Sequence, residues 1–119
     1  MYKYSFEKLK VWEESILLVK SIYLISKKFP NEEKFGLTSQ MKRSAVSIAS
    51  NIAEGTSRQT KKDKAHFTTI AYSSTMELLN QLIIAKELEY IDETECIEIR
   101  LIINKVANML NALRKSQLL

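Results

Sequence analysis

Residues 37–55 read LTSQMKRSAVSIASNIAEG, and their apolar side chains recur at the spacing of an α-helix. Met41, Ala45, Ile48 and Ile52 follow one another at intervals of three or four, so all four lie on one face. Glu54-Gly55-Thr56-Ser57 then forms a sequence typical of a helix end. We predict one helix here, with a single apolar face that other helices must cover.

Two further breaks divide the rest of the chain. Phe29-Pro30-Asn31 ends the helical pattern before residue 37, and Tyr90-Ile91-Asp92 ends it a second time. Asp92 and Glu95 have the spacing of a capping box, which marks a helix start. We therefore predict four helices in one domain covering residues 1–119, at 7–28, 38–55, 60–89 and 92–116. Short connections favour antiparallel neighbours, so the predicted fold is all-α, an antiparallel up-down-up-down four-helix bundle.

Each predicted helix has one apolar row expected to face the core. The rows are Leu9, Trp12, Ile16, Val19 and Tyr23 in the first helix; Leu37, Met41, Ala45, Ile48 and Ile52 in the second; Phe67, Ala71, Leu78, Leu82 and Ala85 in the third; and Ile99, Ile103, Val106, Leu110 and Leu113 in the fourth.

Two helices carry apolar residues beyond these rows. The additional residues are Val11, Leu18, Ile22, Ile25 and Phe29 in the first helix and Ile102 and Met109 in the fourth. A bundle helix needs only one apolar stripe. We interpret the surplus as a contact between copies of the chain; the alternative is a wide core face.

The second helix is rich in small residues, which allow a neighbouring backbone to approach closely. They are Ser44, Ala45, Ser47, Ala49, Ser50 and Ala53. Near the end of this helix, Asn51 and Glu54 are expected to make structural hydrogen bonds rather than to bind a ligand.

Composition excludes several classes of protein. The 119 residues are 45% hydrophobic and 27% charged, with two glycines and one proline, which is typical of a globular domain and not of a linker. The single cysteine and single histidine exclude a disulfide framework within the chain and a multi-histidine metal site. Apolar runs are too short for a membrane span or a signal peptide, so we expect a cytosolic protein with no membrane partner.

The formal net charge of +4 is unevenly distributed. Residues 42–66 carry six bases and two acids, whereas residues 86–100 carry two bases and six acids. A basic cluster attracts phosphate backbones, although an exposed charged face without a partner has the same pattern. The predicted phosphate contacts are Arg58, Lys61, Lys62 and Lys64, with Lys42 and Arg43 as further candidates. Tyr72 is a candidate for stacking on an unpaired base.

The sequence offers little for catalysis. His66 with Asp63 is the one acid–base pair, and Ser73 and Ser74 are mid-helix serines rather than nucleophiles on a strained turn. Cys96 is expected to be a buried apolar residue. We therefore predict no catalytic residue, no metal ligand and no cofactor; a small hydrolase that uses His66 is the least favoured alternative.

Several motifs occur together in order along the chain. They are Phe6-Glu7-Lys8-Leu9-Lys10-Val11-Trp12, Phe29-Pro30, Phe35-Gly36-Leu37 through Ile48, Ser47-Ile48-Ala49-Ser50-Asn51-Ile52-Ala53-Glu54-Gly55, Glu77-Leu78, Gln81-Leu82 and Tyr90-Ile91. In this set the chain resembles the four-helix bundle proteins encoded in bacterial 23S rRNA intervening sequences. It departs from the usual pattern at Lys8, at Ala49 and at Tyr72-Ser73.

The resemblance implies an antiparallel four-helix bundle that assembles as a homopentameric barrel with a central channel. A related branch, the accessory variability determinant of diversity-generating retroelements, binds nucleic acid and a reverse transcriptase. The family is not known for enzymatic activity.

Together these observations predict a non-enzymatic nucleic-acid-binding module for RNA or a ribonucleoprotein, with DNA as the other nucleic-acid candidate. The alternative is a structural or protein-interaction scaffold whose partner is a reverse transcriptase or a ribosome-associated protein.

Overall fold

Four α-helices and no strands make up the computed structural model, which describes residues 1–119. The helices are α1 (Lys10–Ile25), α2 (Leu37–Thr56), α3 (Lys61–Glu87) and α4 (Glu93–Leu118). The four predicted helices are confirmed, with one change. Leu9 adopts an extended conformation (φ −80°, ψ 129°), so the predicted first helix is divided into a 3-10 turn at Ser5–Lys8 and the α-helix that follows.

Consecutive helices pack side by side, and α4 returns to contact α1. The chain reverses through residues 57–60 and 88–92, and through a longer connection at 26–36 that contains two 3-10 turns. Side-chain hydrogen bonds join the matching ends: Thr68 near the start of α3 donates to Gln117 near the end of α4 at 2.6 Å. The helices therefore run alternately up and down, as the short connections predict.

The core confirms the predicted rows of α2 and α4, and that of α3 apart from the half-buried Phe67. In α1 the second row forms the core, and Leu9, Trp12 and Val19 of the predicted row pack against it. Val11, Leu18 and Ile22 are buried, whereas Ile16 is half-buried and Tyr23 is exposed. The residues called surplus in the sequence are thus the core of α1, and in α4 Ile102 and Met109 pack against that core.

Serines explain why the α1 row was misjudged. Ser15 and Ser26 are buried and occupy the helical positions between the apolar members of the core row. Their hydroxyls donate to main-chain oxygens three residues earlier, Ser15 to Trp12 at 2.6 Å and Ser26 to Tyr23 at 3.3 Å. A buried hydroxyl satisfied within its own helix adds little cost, but a count of apolar residues passes over it.

The Glu33 side chain caps the start of α2, because Gly36, the N-cap residue, has no side chain that could accept a main-chain N–H. The Glu33 carboxylate accepts the Leu37 N–H at 3.1 Å and the Tyr90 hydroxyl at 2.8 Å. A Cβ at Gly36 would lie 2.7 Å from Glu33 Oε1, so glycine leaves room for this carboxylate. The Leu37 N–H and then the Tyr90 hydroxyl lower the pKa of Glu33 below 4.5, and the same contact raises the pKa of Tyr90.

The connection from α3 to α4 is fixed at both sides. Glu89 has a positive φ of 64°, and the N–H groups of Glu89 and Tyr90 close the end of α3 on Lys86 and Ala85 in a Schellman motif. Because Glu89 has a Cβ, this left-handed conformation strains it in a way that glycine would avoid.

Asp92 and Glu95 then form the predicted capping box, with main-chain to carboxylate distances of 2.8 and 2.9 Å. Lys28, from the end of the first helical segment, bonds Glu95 at 2.7 Å. That contact, followed by the Asp92 N–H, lowers the pKa of Glu95.

The reassigned core of α1 predicts the effect of one substitution. Leu18→Ala should lower the free energy of unfolding by about 2–5 kcal/mol, because the side chain is fully buried and leaves a cavity. Leu88→Ala, the same change at a half-exposed residue, should cost less than about 1 kcal/mol. Urea unfolding followed by circular dichroism measures both; equal losses would contradict the assignment.

The two carboxylates with lowered pKa values predict an acid-sensitive fold. Their stabilising contribution is present above pH 4.5 and is lost as the pH falls through their lowered values. The double variant Glu33→Gln, Glu95→Gln should therefore lose less stability than the unchanged chain between about pH 7 and about pH 3.5. Urea midpoints at the two pH values test this. The control Glu54→Gln, Glu98→Gln removes two exposed carboxylates and should keep the original pH dependence.

Candidate nucleic-acid interface

The connection between α2 and α3 places four bases around the start of α3. Thr60 caps this helix, its hydroxyl accepting the Asp63 N–H at 3.1 Å. The main-chain N–H groups of Lys61 and Lys62 have no acceptor within the chain. Free N–H groups at a helix start attract anions. Beside them lies an all-polar depression of about 360 Å³, lined by Ser57, Arg58, Gln59, Thr60 and Asp63.

None of the four bases forms an ion pair with an aspartate or glutamate side chain. The three ion pairs of the structure, Lys28–Glu95, Lys86–Glu93 and Lys105–Glu14, all lie elsewhere. The Lys61 ammonium donates to the main-chain oxygen of Leu119 at 2.7 Å. The Arg58 guanidinium lies over the Phe67 ring, 5.0 Å from its centroid, which holds it near the surface of α3. Lys62 is exposed and Lys64 is half-buried.

Lys42 and Arg43 do not belong to this group. They lie in the second turn of α2, sixteen and fifteen residues before Arg58, which corresponds to about 22–24 Å along the helix axis. The Lys42 ammonium lies over the Tyr23 ring at 4.8 Å, and Arg43 lines a separate groove between α2 and α3. The six predicted bases thus form two clusters near opposite ends of the bundle.

The topology brings other bases to the same end of the molecule. Arg114 and Lys115 lie in the last turns of α4, beside the start of α3, and the Arg114 Nε donates to Thr69 at 2.9 Å. Lys8 and Lys10 flank the start of α1 at this end. We call this the basic end: the starts of α1 and α3 and the ends of α2 and α4. These four residues lie far from residues 58–64 along the chain, so their spacing in the sequence does not group them with that cluster.

Exposed aromatic rings occur at the basic end. The rings of Tyr2 and Tyr4 meet edge to face with centroids 5.1 Å apart, and Tyr4 stacks on Phe6 at 6.5 Å. Phe6 in turn contacts Trp12 at 5.3 Å, which ties the series to α1. Tyr2 and Tyr4 keep 76% and 63% of their surfaces exposed. Tyr72, the predicted stacking residue, is instead packed against the core beside a small groove that Arg114 also lines.

Six acidic residues, all within 87–98, lie at the opposite end, together with bases that include Lys27, Lys28 and Lys34. Residues 87–98 surround the α3–α4 connection, and α3 is 27 residues long, so it separates the two charged ends by about 40 Å. This is close to the full length of the molecule, whose Cα atoms extend 43 Å along the longest axis. The uneven charge seen in the sequence is therefore arranged along one axis.

The candidate catalytic residues do not converge. His66 is exposed and contacts the Phe67 ring edge at 5.7 Å, with no hydrogen bond to Asp63. Ser74 bonds Ser47 at 2.9 Å across the α2–α3 contact, and Cys96 is buried as predicted. Asn51 donates to the Ser47 main-chain oxygen at 2.8 Å, a structural contact. No three His, Cys, Asp or Glu side chains are grouped to hold a metal ion.

None of the four helices combines the length and the apolar character that crossing a membrane requires.

Comparison with known proteins places these features in a family. The structure resembles the crystal structure of a protein of unknown function from the S23 ribosomal protein family of Bacteroides thetaiotaomicron, with a TM-score of 0.82. The two sequences are 24% identical, and the match covers 88% of this chain and 98% of the other, which shows a shared fold. No curated protein matches the sequence. The family of 23S rRNA-intervening sequence proteins matches residues 7–112, nearly the whole chain, and the protein therefore belongs to that family.

Proposed function

We propose that this chain is a non-enzymatic, cytosolic module that binds RNA through its phosphate backbone at the basic end. The observation that carries the proposal is the group of four bases around the start of α3, none of them paired with an aspartate or glutamate side chain. Two free main-chain N–H groups lie among them and add to the attraction for phosphate.

Residues near the cluster also favour nucleic-acid binding. Arg114 and Lys115 add charge from α4, and Tyr2 and Tyr4 present exposed rings on which unpaired bases stack. The sequence has no helix-turn-helix, zinc-finger or ribonucleoprotein motif for reading base edges. Binding is therefore expected to follow backbone and shape, with unpaired bases favoured by the two tyrosines.

The salt dependence and one double substitution test this proposal. Four phosphate contacts correspond to a slope of roughly −3 to −4 in a plot of log affinity against log salt. Lys61→Glu with Lys62→Glu should weaken binding by about tenfold or more and flatten the slope, because two contacts become repulsive. Fluorescence anisotropy with a single-stranded RNA, a structured RNA and a DNA duplex across a salt series measures both.

The matched control makes the same charge change at the acidic end. Lys27→Glu with Lys34→Glu alters two exposed lysines far from the cluster and should leave the RNA affinity nearly unchanged. Circular dichroism confirms that each variant stays helical. An unchanged affinity in the Lys61, Lys62 variant would overturn the site assignment.

We further infer that copies of the chain assemble, as a homopentamer, through the outer surfaces of α1 and α4. Leu17, Leu24, Ile97 and Leu101 are half-exposed or exposed there, and α1 and α4 are neighbours. Large apolar side chains grouped on a surface mark a protein contact. The scaffold alternative uses the same surface for a different protein, a reverse transcriptase or a ribosome-associated partner.

Charged substitutions on this surface test the assembly of the chain without changing its fold. Leu24→Glu with Leu101→Glu should reduce the native mass from five times the 13.8 kDa chain to one, with helicity unchanged. Val46→Glu with Ile84→Glu, at exposed residues of α2 and α3, is the control and should keep the assembly. Light scattering after gel filtration gives the mass. A monomeric unchanged chain would favour the scaffold alternative.

A further inference from the structure

A small groove between α3 and α4 opens beside the bases at 58–64. It measures about 220 Å³, and each helix lines it with three residues at the same spacing: Thr68, Thr69 and Tyr72 from α3, and Leu110, Asn111 and Arg114 from α4. Lys64 lies one turn before Thr68 and two turns before Tyr72, which corresponds to about 6–12 Å along the helix axis. A nucleotide chain bound at the basic cluster is therefore close enough to extend over the groove.

Two hydrogen bonds between the helices fix one side of this groove. The Arg114 Nε donates to the Thr69 hydroxyl at 2.9 Å, and the Thr68 hydroxyl donates to Gln117 at 2.6 Å. The first bond holds the guanidinium against α3 and uses one of its five N–H donors. Arg114 forms no ion pair, so its terminal N–H groups are free to bind a ligand. The groove thus has a positioned donor group at its edge.

Two other side chains of the groove have polar atoms that a ligand can reach. Asn111 is exposed, and its amide, with two donors and one acceptor, bonds no other group of the chain. The Tyr72 side chain packs against the core, but its hydroxyl is also without a partner. Gln81 Oε1 is the one unpaired polar side-chain atom that is fully buried, so the Tyr72 hydroxyl keeps access to solvent.

The groove suits a flat ring with apolar faces and hydrogen-bonding edges. Leu110 is fully buried and, with the Tyr72 ring, supplies apolar surface. The free polar groups on Asn111, Tyr72 and Arg114 are mostly donors. No acidic residue lines the groove, which disfavours a cationic ligand. The volume is below the range of about 300–1,000 Å³ found for drug-sized ligands, so one ring system fits better than a larger molecule.

We propose that the groove binds one unpaired base of the RNA held at the basic end and prefers a base with carbonyl oxygens. The inference rests on the proposed RNA-binding function and adds a base contact to it. The base packs against Tyr72, and its carbonyl oxygens accept hydrogen bonds from Asn111 and Arg114. Contact with an aromatic side chain and hydrogen bonds to base edges are how proteins recognise unpaired RNA bases. Uracil and guanine have carbonyl acceptors, whereas adenine has none.

Two uncharged substitutions test the groove without altering the phosphate contacts. Tyr72→Phe and Asn111→Ala remove polar groups that no other residue uses, so the thermal midpoint should not change. For a single-stranded oligouridine, the double variant should bind about tenfold more weakly, because two hydrogen bonds to the base are lost. The slope of log affinity against log salt should stay the same, since the number of phosphate contacts is unchanged. Fluorescence anisotropy across a salt series measures both.

A matched pair of substitutions and a second oligonucleotide are the controls. Tyr23→Phe with Asn104→Ala makes the same chemical changes at exposed residues outside the groove and should leave the affinity unchanged. An oligoadenosine of the same length should bind the unchanged chain more weakly than the oligouridine. The Tyr72, Asn111 variant should lose most of that difference.

Uridine 5′-monophosphate provides a measurement that does not depend on RNA binding. At millimolar concentration it should shift the amide NMR signals of residues 68–72 and 110–114, and these shifts should disappear in the double variant. Ribose 5-phosphate, which has no base, should leave the signals of the groove unchanged.

The outcomes distinguish this inference from the proposed function. Equal oligouridine affinity in the double variant and the unchanged chain would overturn the groove, even if Lys61→Glu with Lys62→Glu abolishes binding. Groove shifts with the mononucleotide but no binding of any RNA would overturn the proposed function and support the groove as a base site. Absence of both signals would overturn both proposals. Weaker binding together with a lower thermal midpoint in the double variant would make the two side chains structural and contradict the base contact.

Discussion

Gly55 and Phe67 determine how closely α2 and α3 approach each other at the basic end. A Cβ on Gly55 would lie 3.0 Å from the Phe67 Cβ and 3.4 Å from the Lys64 main-chain oxygen, so the two helices touch through the glycine backbone. Phe67 in turn supports the Arg58 guanidinium on its ring face. The position of the bases at 58–64 therefore depends on a contact that a Cβ at residue 55 would crowd. Further along the same pair, Ser47 with Ser74 and Ser44 with Glu77 continue the close contact as hydrogen bonds.

Short hydroxyl side chains let this small bundle bury polar residues at low cost. Thr75 in α3 is buried, and its hydroxyl donates to the main-chain oxygen of Ala71, four residues earlier, at 2.8 Å. Such contacts satisfy the hydroxyl inside its own helix and leave the packing surface smooth. Gln81 is the contrast: its longer amide is buried at the α2–α3 surface, and its oxygen has no such internal partner.

The sequence predicted those parts of the structure that depend on local spacing. Helix number, helix boundaries within about three residues, the capping box at Asp92 and the core rows of three helices all follow from periodicity and from breakers. The core face of α1 did not, because two of its buried positions are serines. The positive φ of Glu89 just after α3 was not expected either, since that conformation is normally the mark of glycine or asparagine. Of the predicted interface, the group at 58–64 is contiguous in sequence and stayed together. In the folded chain Arg114 lies near this group and Lys42 lies far from it. Both facts depend on how the helices pack, which spacing along a single helix does not predict.

Positive charge is concentrated at the basic end of the long axis, whereas acids and bases nearly balance at the other end. Parallel copies standing side by side place their basic ends together, and these ends repel. A ring of parallel copies must overcome that repulsion with apolar contact, and added salt screens it over a Debye length of about 8–10 Å. Salt competes with a bound polyanion at the same time. Ionic strength therefore acts with opposite signs on the two events: it favours a parallel assembly and releases the nucleic acid from it.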